Sequence, residues 1–294
     1  MKYASFVFPR NENLGDQIQA LAAERLLPRV DAWFDRDGLS AVDAPGRFVT
    51  LMNGWFSDRP QNWPPSPSII PVFVGFHLTE SAAKSYLRFP EYFRRYAPIG
   101  CRDRGTQQLL LNARLAAHVT YCPTLTFPPR LRKPRTGTVF IVDGRKLAIP
   151  RSIRKGAVEI SHIIPKFHSD QTKMTLATEL LDAYRTQARL VITTRIHSAL
   201  PCIAMGIPVI YFGKLGNYRQ SIIKDIGVPF HLRSKNQNKG VLRVFNEHVD
   251  WSGYTVDVSA IADAIREEVA RRLDEAGEAA GKEPVQSPPC APAA

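Results

Sequence analysis

Hydrophobic and polar positions follow a strand, loop, helix order that repeats along most of the chain. The short apolar, β-branched runs at residues 190–192 and 209–212 are typical of strands buried on both faces. The apolar segment between them predicts a helical crossover, so the two strands should lie parallel in one sheet. The pattern therefore predicts an α/β protein with parallel sheets.

The other predicted elements divide the chain into two units and a tail. The proline-rich, basic residues 128–135 predict a stiff connection between a first domain, 1–130, and a second domain, 137–274. The tail, 275–294, is rich in Ala, Pro and Glu and is predicted to be disordered. The remaining strand-like runs are residues 3–8, 30–34, 48–52, 69–76, 138–142 and 158–160, and amphipathic helices are predicted at 172–187 and 259–273.

Arg195 and His197 interrupt the apolar unit that joins the two strands described first. Proline is tolerated in the first turn of a helix, so Pro201 places the N-cap at Ser198 and both polar residues in the preceding loop. Ligands bind at the carboxyl ends of parallel strands, and helix N-termini attract anions. The pair predicts an anion site, against the alternatives of a surface ion pair and a hydrogen-bonded core histidine.

Two further strand ends carry polar residues. Asn13, Gly15 and Asp16 follow the first strand, and they either approach a ligand or only turn the chain, with Asp16 as the helix cap. Arg102 and Asp103 follow a later strand, where they either contribute to a site or form an ion pair that fixes the loop.

Basic and histidine residues follow two more strands. Lys214 and Arg219 lie in the polar loop after residues 209–212 and could meet an anion at the same sheet edge. His77 ends the run at residues 69–76, where it is either a ligand contact or a partly exposed spacer.

The formal net charge of +12 indicates an acidic partner, which could be nucleic acid, anionic lipid or a small acidic substrate. The basic residues are dispersed and no aromatic platform accompanies them, which argues against nucleic acid. Contact with a membrane surface is the more plausible macromolecular interaction.

The chain lacks the sequence signs of a membrane-spanning or secreted protein. No apolar run approaches the roughly 20 residues that cross a bilayer, and residues 3–8 are too short for a signal peptide. The four cysteines have no paired spacing, which argues against a disulfide framework and a structural zinc site. We therefore expect a cytoplasmic protein.

Four short motifs resemble those of one known family, the polysaccharide pyruvyl transferases. They are Asn-Leu-Gly-Asp at 13–16, Arg-Asp-x-x-Thr at 102–106, Thr-Arg-Ile-His-Ser-Ala at 194–199 and Gly-Ile-Pro-Val at 206–209. The third motif is similar to the family's arginine-x-histidine signature, which is its most specific feature. The resemblance spans residues 13–229.

The resemblance implies two Rossmann-like domains that face each other across a cleft, as in glycosyltransferases of the B type. It also implies phosphoenolpyruvate as the donor, held by the C-terminal domain. The acceptor would be a sugar diol of an exopolysaccharide or its lipid-linked precursor, held by the N-terminal domain and converted to a pyruvate ketal. A lipid-linked acceptor would suit contact with the inner face of the membrane. We expect no metal or other cofactor, because arginine and a helix dipole can meet the donor's charge.

The chemistry suggests a role for each candidate residue. A guanidinium binds carboxylate or phosphate through paired hydrogen bonds, so Arg195 is expected to hold the donor. His197 is expected to orient the donor or act as general acid, with Asp16 or His168 near the acceptor. The further candidate substrate-binding residues are Ser198, Asn13, Gly15, Arg102, Asp103 and Lys214.

Two other functions remain open on the sequence alone. A glycosyltransferase could use the same two-domain cleft with a nucleotide sugar, because function lies in the site rather than in the fold. A non-enzymatic module could bind an anionic polymer through the basic surface, and its binding would weaken strongly with salt.

Overall fold

The computed structural model describes residues 1–214, 216–235, 242–244 and 249–282, and it confirms an α/β protein with parallel sheets. The strands are β1 Lys2–Val7, β2 Ala32–Asp35, β3 Phe48–Leu51, β4 Gly54–Trp55, β5 Ile69–Val72, β6 Phe76–His77, β7 Ile99–Cys101, β8 Ala117–Val119, β9 Thr138–Val142, β10 Val158–Ile160, β11 Ala188–Thr193, β12 Val209–Gly213, β13 Phe230–Lys235 and β14 Leu242–Val244. The α-helices are α1 Leu14–Glu24, α2 Glu80–Tyr86, α3 Pro90–Arg95, α4 Arg104–Asn112, α5 Arg151–Arg154, α6 Asp170–Gln187, α7 Ile196–Ala204, α8 Ser221–Asp225 and α9 Ser259–Lys282. Within the described ranges, no helix is long and apolar enough to cross a membrane.

The N-terminal half contains two four-stranded parallel sheets, with the orders β2-β1-β3-β5 and β4-β6-β7-β8. The chain runs from β3 into β4 and from β5 into β6, so the second sheet continues the first. The predicted strand at 69–76 is therefore two strands. Gly75 lies between them with φ +76°, a left-handed conformation that interrupts a strand.

The described residues of the C-terminal half form a six-stranded sheet with the order β10-β9-β11-β12-β13-β14. Its first five strands are parallel, and β14 pairs antiparallel with β13. The predicted parallel pairing of the two apolar runs is confirmed, since Val191 lies opposite Val209 and Ile192 opposite Ile210.

Both halves reverse their strand order at the same point. The first strand of each half lies between its second and third strands, so β1 separates β2 from β3 and β9 separates β10 from β11. Such a reversal opens a crevice at the carboxyl ends of the strands, where ligands bind in α/β proteins. The loops after β1, β9 and β11 are therefore positioned to form a site.

The two halves share one apolar core and several polar contacts. The largest apolar cluster draws on α1 and β3 from one half and on α6, β11 and α7 from the other. The backbone N–H of Leu14 donates to the carbonyl of His162 over 2.8 Å. Lys173, fully buried on α6, donates to the carbonyls of Phe8 and Pro9, each over 3.2 Å. These contacts hold the loop after β1 against the C-terminal half.

Helix α7 begins earlier than predicted. Its N-cap is Arg195 rather than Ser198, so His197 lies in the first turn and Pro201 lies inside the helix. A proline there removes the hydrogen bond that the carbonyl of His197 would accept. Every residue of α7 is buried, so tertiary packing outweighs the local cost of the proline.

Two other predicted element ends are also wrong. The N-cap of α1 is Asn13, whose side chain accepts from the backbone N–H of Gly15 over 3.2 Å, and Asp16 lies in the first turn. Helix α9 continues through residues 275–282, which were predicted to be disordered, and residues 283–294 lie outside the described part. Arg266 on α9 donates to the carbonyl of Thr126 over 3.1 Å, so this helix packs on the N-terminal half.

Candidate active site

A cavity of about 470 Å³ lies between the two halves, at the carboxyl ends of β9, β11 and β12. The N-terminal half contributes Asn13 and Gly15 from the loop after β1. The C-terminal half contributes Asp143, His162, Thr194, Arg195, Ile196, His197, Tyr211, Lys214, Asn217, Arg219 and Gln220. Most of these side chains are polar, as a site for a charged ligand requires.

Arg195 lies at the cavity with 33% of its side chain exposed. Its Nε donates to Asp143 Oδ2 over 2.6 Å. Burial raises the pKa of Asp143, but hydrogen bonds from Ser161 and from the backbone of His162, with the charge of Arg195, hold it below its ordinary value. Because the ion pair uses Nε, the two Nη groups of Arg195 can donate to a bound anion.

His197 lines the cavity from the first turn of α7, with 3% of its surface exposed. A Cβ on Gly15 would lie 3.1 Å from His197 Nδ1, so the close approach of these residues favours glycine. Within the described ranges, His197 Nε2 is buried without a hydrogen-bond partner. Burial, and then the charges of Arg102 and Arg219, keep the pKa of His197 well below its ordinary value. The imidazole is therefore neutral.

Arg102, Asp103 and His77 form a fully buried polar cluster in the N-terminal half. Asp103 Oδ2 lies 3.3 Å from Arg102 Nη2 and 2.6 Å from His77 Nδ1, and its Oδ1 caps α4 at the backbone N–H of Thr106. Arg102 Nε and Nη1 have no partner among the described residues. Burial, and then the charge of Arg102, lower the pKa of His77 to about 3, so His77 is neutral.

The loop after β12 crosses from the C-terminal half to the N-terminal half. Arg219 lies 4.5 Å from the ring centroid of Trp55, and burial lowers its pKa to about 10. Its Nε is buried and unpartnered in the part of the chain that the structure describes. The Tyr218 hydroxyl donates to the carbonyl of Leu78, and a Cβ on Gly105 would lie 2.1 Å from the Tyr218 ring. Arg219 is thus held at the cavity by contacts with both halves.

The structure brings five of the predicted site residues to the cavity wall. These are Asn13, Gly15, Arg195, His197 and Lys214. Arg102 and Asp103 are buried in the cluster described above and do not line the cavity, but the charge of Arg102 lowers the pKa of His197.

The structure places the other three predicted residues away from the cavity wall. Asp16 is buried, ion-paired with Arg36 over 3.6 Å, and its pKa is raised by burial. Ser198 is buried and donates to the Tyr184 hydroxyl over 3.4 Å. The ring of His168 packs against that of Phe167, before α6 begins. Of the three predicted catalytic residues, His197 alone lines the cavity.

Asp143 and His162 are cavity residues that sequence reasoning missed. Both come just after predicted strands, at 138–142 and 158–160, so the rule that indicated Arg195 could have found them. Burial lowers the pKa of His162 to about 4, which makes a third neutral histidine near the site. Their mutual placement depends on tertiary contacts that a strand pattern does not contain.

The described residues contain no group of three or more His, Cys, Asp or Glu side chains arranged to hold a metal ion. Cys101, Cys122 and Cys202 are buried free thiols, and Cys290 lies outside the described residues. Burial raises the pKa of all three buried thiols, so each is protonated at neutral pH.

The fold and the site together define an α/β protein with a cavity between its two halves that is lined by Arg195, Lys214 and Arg219. Residues 74–213 match the family model described as polysaccharide pyruvyl transferase, which confirms the resemblance seen in the sequence. The match covers just under half of the chain, 140 of 294 residues. It includes His77, Arg102, His162, Arg195 and His197.

Two solved structures are similar to this chain at low identity. One is the uncharacterized protein KP1_0663 from Klebsiella pneumoniae subsp. pneumoniae NTUH-K2044, with 10% identity, a TM-score of 0.47, and coverage of 83% of this chain and 93% of that chain. The other is a Listeria monocytogenes protein described as a UDP-N-acetylglucosamine 2-epimerase, with 12% identity, a TM-score of 0.37, and coverage of 96% and 90%. None of the curated proteins compared with the chain matches it.

Proposed function

We propose that this protein transfers a pyruvyl group from phosphoenolpyruvate to two hydroxyl groups of a saccharide, forming a pyruvate ketal. The saccharide belongs to an exopolysaccharide or to its lipid-linked precursor. The family match supports pyruvyl transfer, and the chemistry of the cavity supports the choice of donor. The net charge of +12 favours an encounter with the anionic membrane surface that carries a lipid-linked acceptor.

The observation that carries the proposal is a set of buried nitrogen atoms without partners at and near the cavity wall. Among the described residues, Arg219 Nε and His197 Nε2 belong to residues of the wall, whereas Arg102 Nε and Nη1 lie in the buried cluster of the N-terminal half, from which the charge of Arg102 acts on His197. A buried donor without a partner costs on the order of 1–3 kcal/mol, and more when it is charged. The groups at the cavity wall would be stabilised by a bound ligand that carries only acceptors, and the buried charge of Arg102 would be partly offset by that ligand's negative charge.

Phosphoenolpyruvate has the charge and size that this arrangement favours. Its carboxylate is planar and its phosphate is tetrahedral. Guanidinium groups bind either anion through paired hydrogen bonds. Arg195, Lys214 and Arg219 line the cavity, and the buried Arg102 adds positive charge that acts on His197. Three acidic groups close to these cations are ion-paired with arginines, Asp16 with Arg36, Asp103 with Arg102 and Asp143 with Arg195.

The proposed reaction needs two proton movements and releases one phosphate. The methylene carbon of the donor takes a proton, and one acceptor hydroxyl adds to the neighbouring carbon as it loses its own proton. The second hydroxyl then displaces phosphate, which leaves with the remaining proton as hydrogen phosphate. A group that can give and take protons near neutral pH is therefore needed beside the donor.

His197 fits the role of that acid once the donor is bound. In the free protein its pKa is low because of burial and of the nearby arginine charges. A bound dianion would offset those charges and raise the pKa of His197, so the imidazole would take up a proton with the donor. Protonated His197 could then donate from Nε2.

A ligand panel tests the proposal directly. Phosphoenolpyruvate, UDP-sugars and CMP-sugars should be compared by thermal shift, because a ligand of the folded state at 100 times its Kd adds about 2.7 kcal/mol of stability. We expect phosphoenolpyruvate alone to raise the melting temperature. Stabilisation by a nucleotide sugar and not by phosphoenolpyruvate would instead indicate a glycosyltransferase.

A further inference from the structure

Three fully buried residues of the C-terminal half form a hydrogen-bonded chain that ends at the cavity. Ser198 Oγ donates to the Tyr184 hydroxyl over 3.4 Å, and the Tyr184 hydroxyl lies 3.2 Å from His162 Nε2. Each of the three is 0% exposed, and His162 lies against the cavity. His162 Nδ1 has no hydrogen-bond partner among the described residues.

The direction of each hydrogen bond follows from counting protons. The Tyr184 oxygen accepts the proton of Ser198, so its own single proton is free to donate to His162 Nε2. Nε2 must then carry a lone pair. A neutral imidazole has one N–H, which therefore lies on Nδ1, the atom without a partner.

The protonation states that this count requires agree with the surroundings of the two rings. Burial raises the pKa of Tyr184 well above its ordinary value, so the hydroxyl keeps its proton. Burial lowers the pKa of His162 to about 4, so the imidazole is neutral at pH 7.

We infer that Ser198 and Tyr184 fix His162 in the Nδ1–H tautomer, so that His162 donates a hydrogen bond to the anionic donor substrate in the cavity. His162 is thus a substrate-binding residue, and Tyr184 and Ser198 are positioning residues that act through it. The inference deepens the proposed function and rests on it for the identity of the anion.

His77 in the other half provides a contrast within the same molecule. Its Nδ1 lies 2.6 Å from Asp103 Oδ2, and an ionised carboxylate can only accept a hydrogen bond. His77 therefore carries its proton on Nδ1 and donates it to Asp103. The remaining atom, Nε2, is an acceptor and cannot bind an anion. The partner of each ring thus decides whether the ring can serve an anionic ligand.

The experiment combines nitrogen NMR of the histidine rings with calorimetric titration of phosphoenolpyruvate. In the wild type, the His162 signals should be those of the Nδ1–H tautomer. Tyr184→Phe should shift His162 towards the Nε2–H tautomer and raise the Kd for phosphoenolpyruvate roughly 10- to 100-fold, as expected for loss of a hydrogen bond to a charged group. Tyr86→Phe, a buried tyrosine change in the other half, is the matched control and should alter neither.

A double-mutant cycle separates positioning from simple packing. In a His162→Asn background there is no tautomer to set, so Tyr184→Phe should leave the Kd unchanged. An equal loss of affinity in both backgrounds, or an Nε2–H tautomer in the wild type, would overturn the inference. Should Tyr184→Phe fail to fold, Ser198→Ala is the second variant and should give mixed tautomers with a smaller rise in Kd.

Failure of the proposed function looks different from failure of this inference. If phosphoenolpyruvate does not bind the wild type, the proposed donor is wrong. The shift of the His162 tautomer in Tyr184→Phe then decides alone whether the hydrogen-bonded chain exists, and its absence would overturn the inference.

Discussion

The two halves of the molecule share a strand order but use their strand ends differently. In the N-terminal half, Arg102 and Asp103 are fully buried and paired with each other at the end of β7. In the C-terminal half, Arg195 and His197 line a cavity at the end of β11. The N-terminal half thus pairs this charge within the protein, whereas the C-terminal half places charged and polar side chains at a cavity wall.

This difference separates residues that hold the structure from residues that bind. A buried ion pair is expensive to desolvate, and removal of one partner leaves an uncompensated buried charge. A charge at a cavity wall is partly solvated, so its removal mainly affects the ligand. We therefore expect substitutions in the N-terminal cluster to reduce stability first, and substitutions at the cavity to reduce affinity first.

The largest expected effect is on stability, from Asp103→Ala. This change leaves the buried charge of Arg102 without its ion-pair partner and removes the hydrogen bonds of Asp103 with His77 and Thr106. The free energy of unfolding should therefore fall by about 3–5 kcal/mol. Urea denaturation measures it. The control is Asp182→Ala, which breaks an exposed pair with Arg185 and should cost less than about 1 kcal/mol. Equal losses for the two variants would contradict the comparison.

The next effect is on affinity, from Arg195→Lys. Lysine cannot form paired hydrogen bonds with a carboxylate or phosphate, so the Kd for phosphoenolpyruvate should rise roughly 10- to 150-fold. Unfolding free energy should change by less than about 1 kcal/mol, because the pair with Asp143 is partly exposed. Calorimetry with Arg185→Lys as the matched control tests it, and unchanged affinity would remove Arg195 from the site.

A pH-dependent effect isolates the buried histidine of the cavity. The pKa of His162 is about 4 in the folded protein and near its ordinary value of 6.5 when unfolded. The unfolded state therefore binds more protons in this window, and the stabilising contribution of neutral His162 is lost as the pH falls from 6.5 towards 4. Relative to His162→Asn, the wild type should lose about 1.4 kcal/mol per pH unit. Urea denaturation at pH 7, 6 and 5 measures it, and a constant difference would show that His162 is not buried in neutral form.

The smallest effect is expected from Gly15→Ala. The new Cβ would lie 3.1 Å from His197 Nδ1 and 3.2 Å from the Asn13 side chain, so both must shift by a few tenths of an ångström. Affinity for phosphoenolpyruvate should fall a few-fold, with little change in stability. Gly38→Ala, whose Cβ would meet its nearest atom at an ordinary 3.5 Å, is the control. A loss no larger than that of the control would mean that His197 is not held by this contact.

Local sequence patterns predicted much of the fold because the signals are local. The apolar runs identified β9, β11 and β12, and the rule for strand ends placed Arg195 at the cavity. The start of α7 was predicted wrongly because Pro201 lies inside the helix, where packing of the buried helix outweighs the preference of proline for the first turn. The cap of α1 was assigned to Asp16 instead of Asn13 for a different reason, because both residue types suit the N-cap position.

The site itself was only partly predictable, because its electrostatics are long-range. Asp143 and Arg195 follow the neighbouring strands β9 and β11, and Tyr184 on α6 contacts His162 in the loop after β10. The Arg-Asp pair at 102–103 was visible in the sequence, but its complete burial and the contact of Asp103 with His77 are properties of the folded structure. Spacing along the chain does not contain that information.

The most direct test of the central claim is a crystal structure of the protein with phosphoenolpyruvate. The account predicts the ligand in the cavity between the halves, with His197 Nε2 and the Arg195 guanidinium each about 2.7–3.2 Å from its oxygens. A ligand bound elsewhere, or bound in the cavity without contact to either side chain, would contradict it.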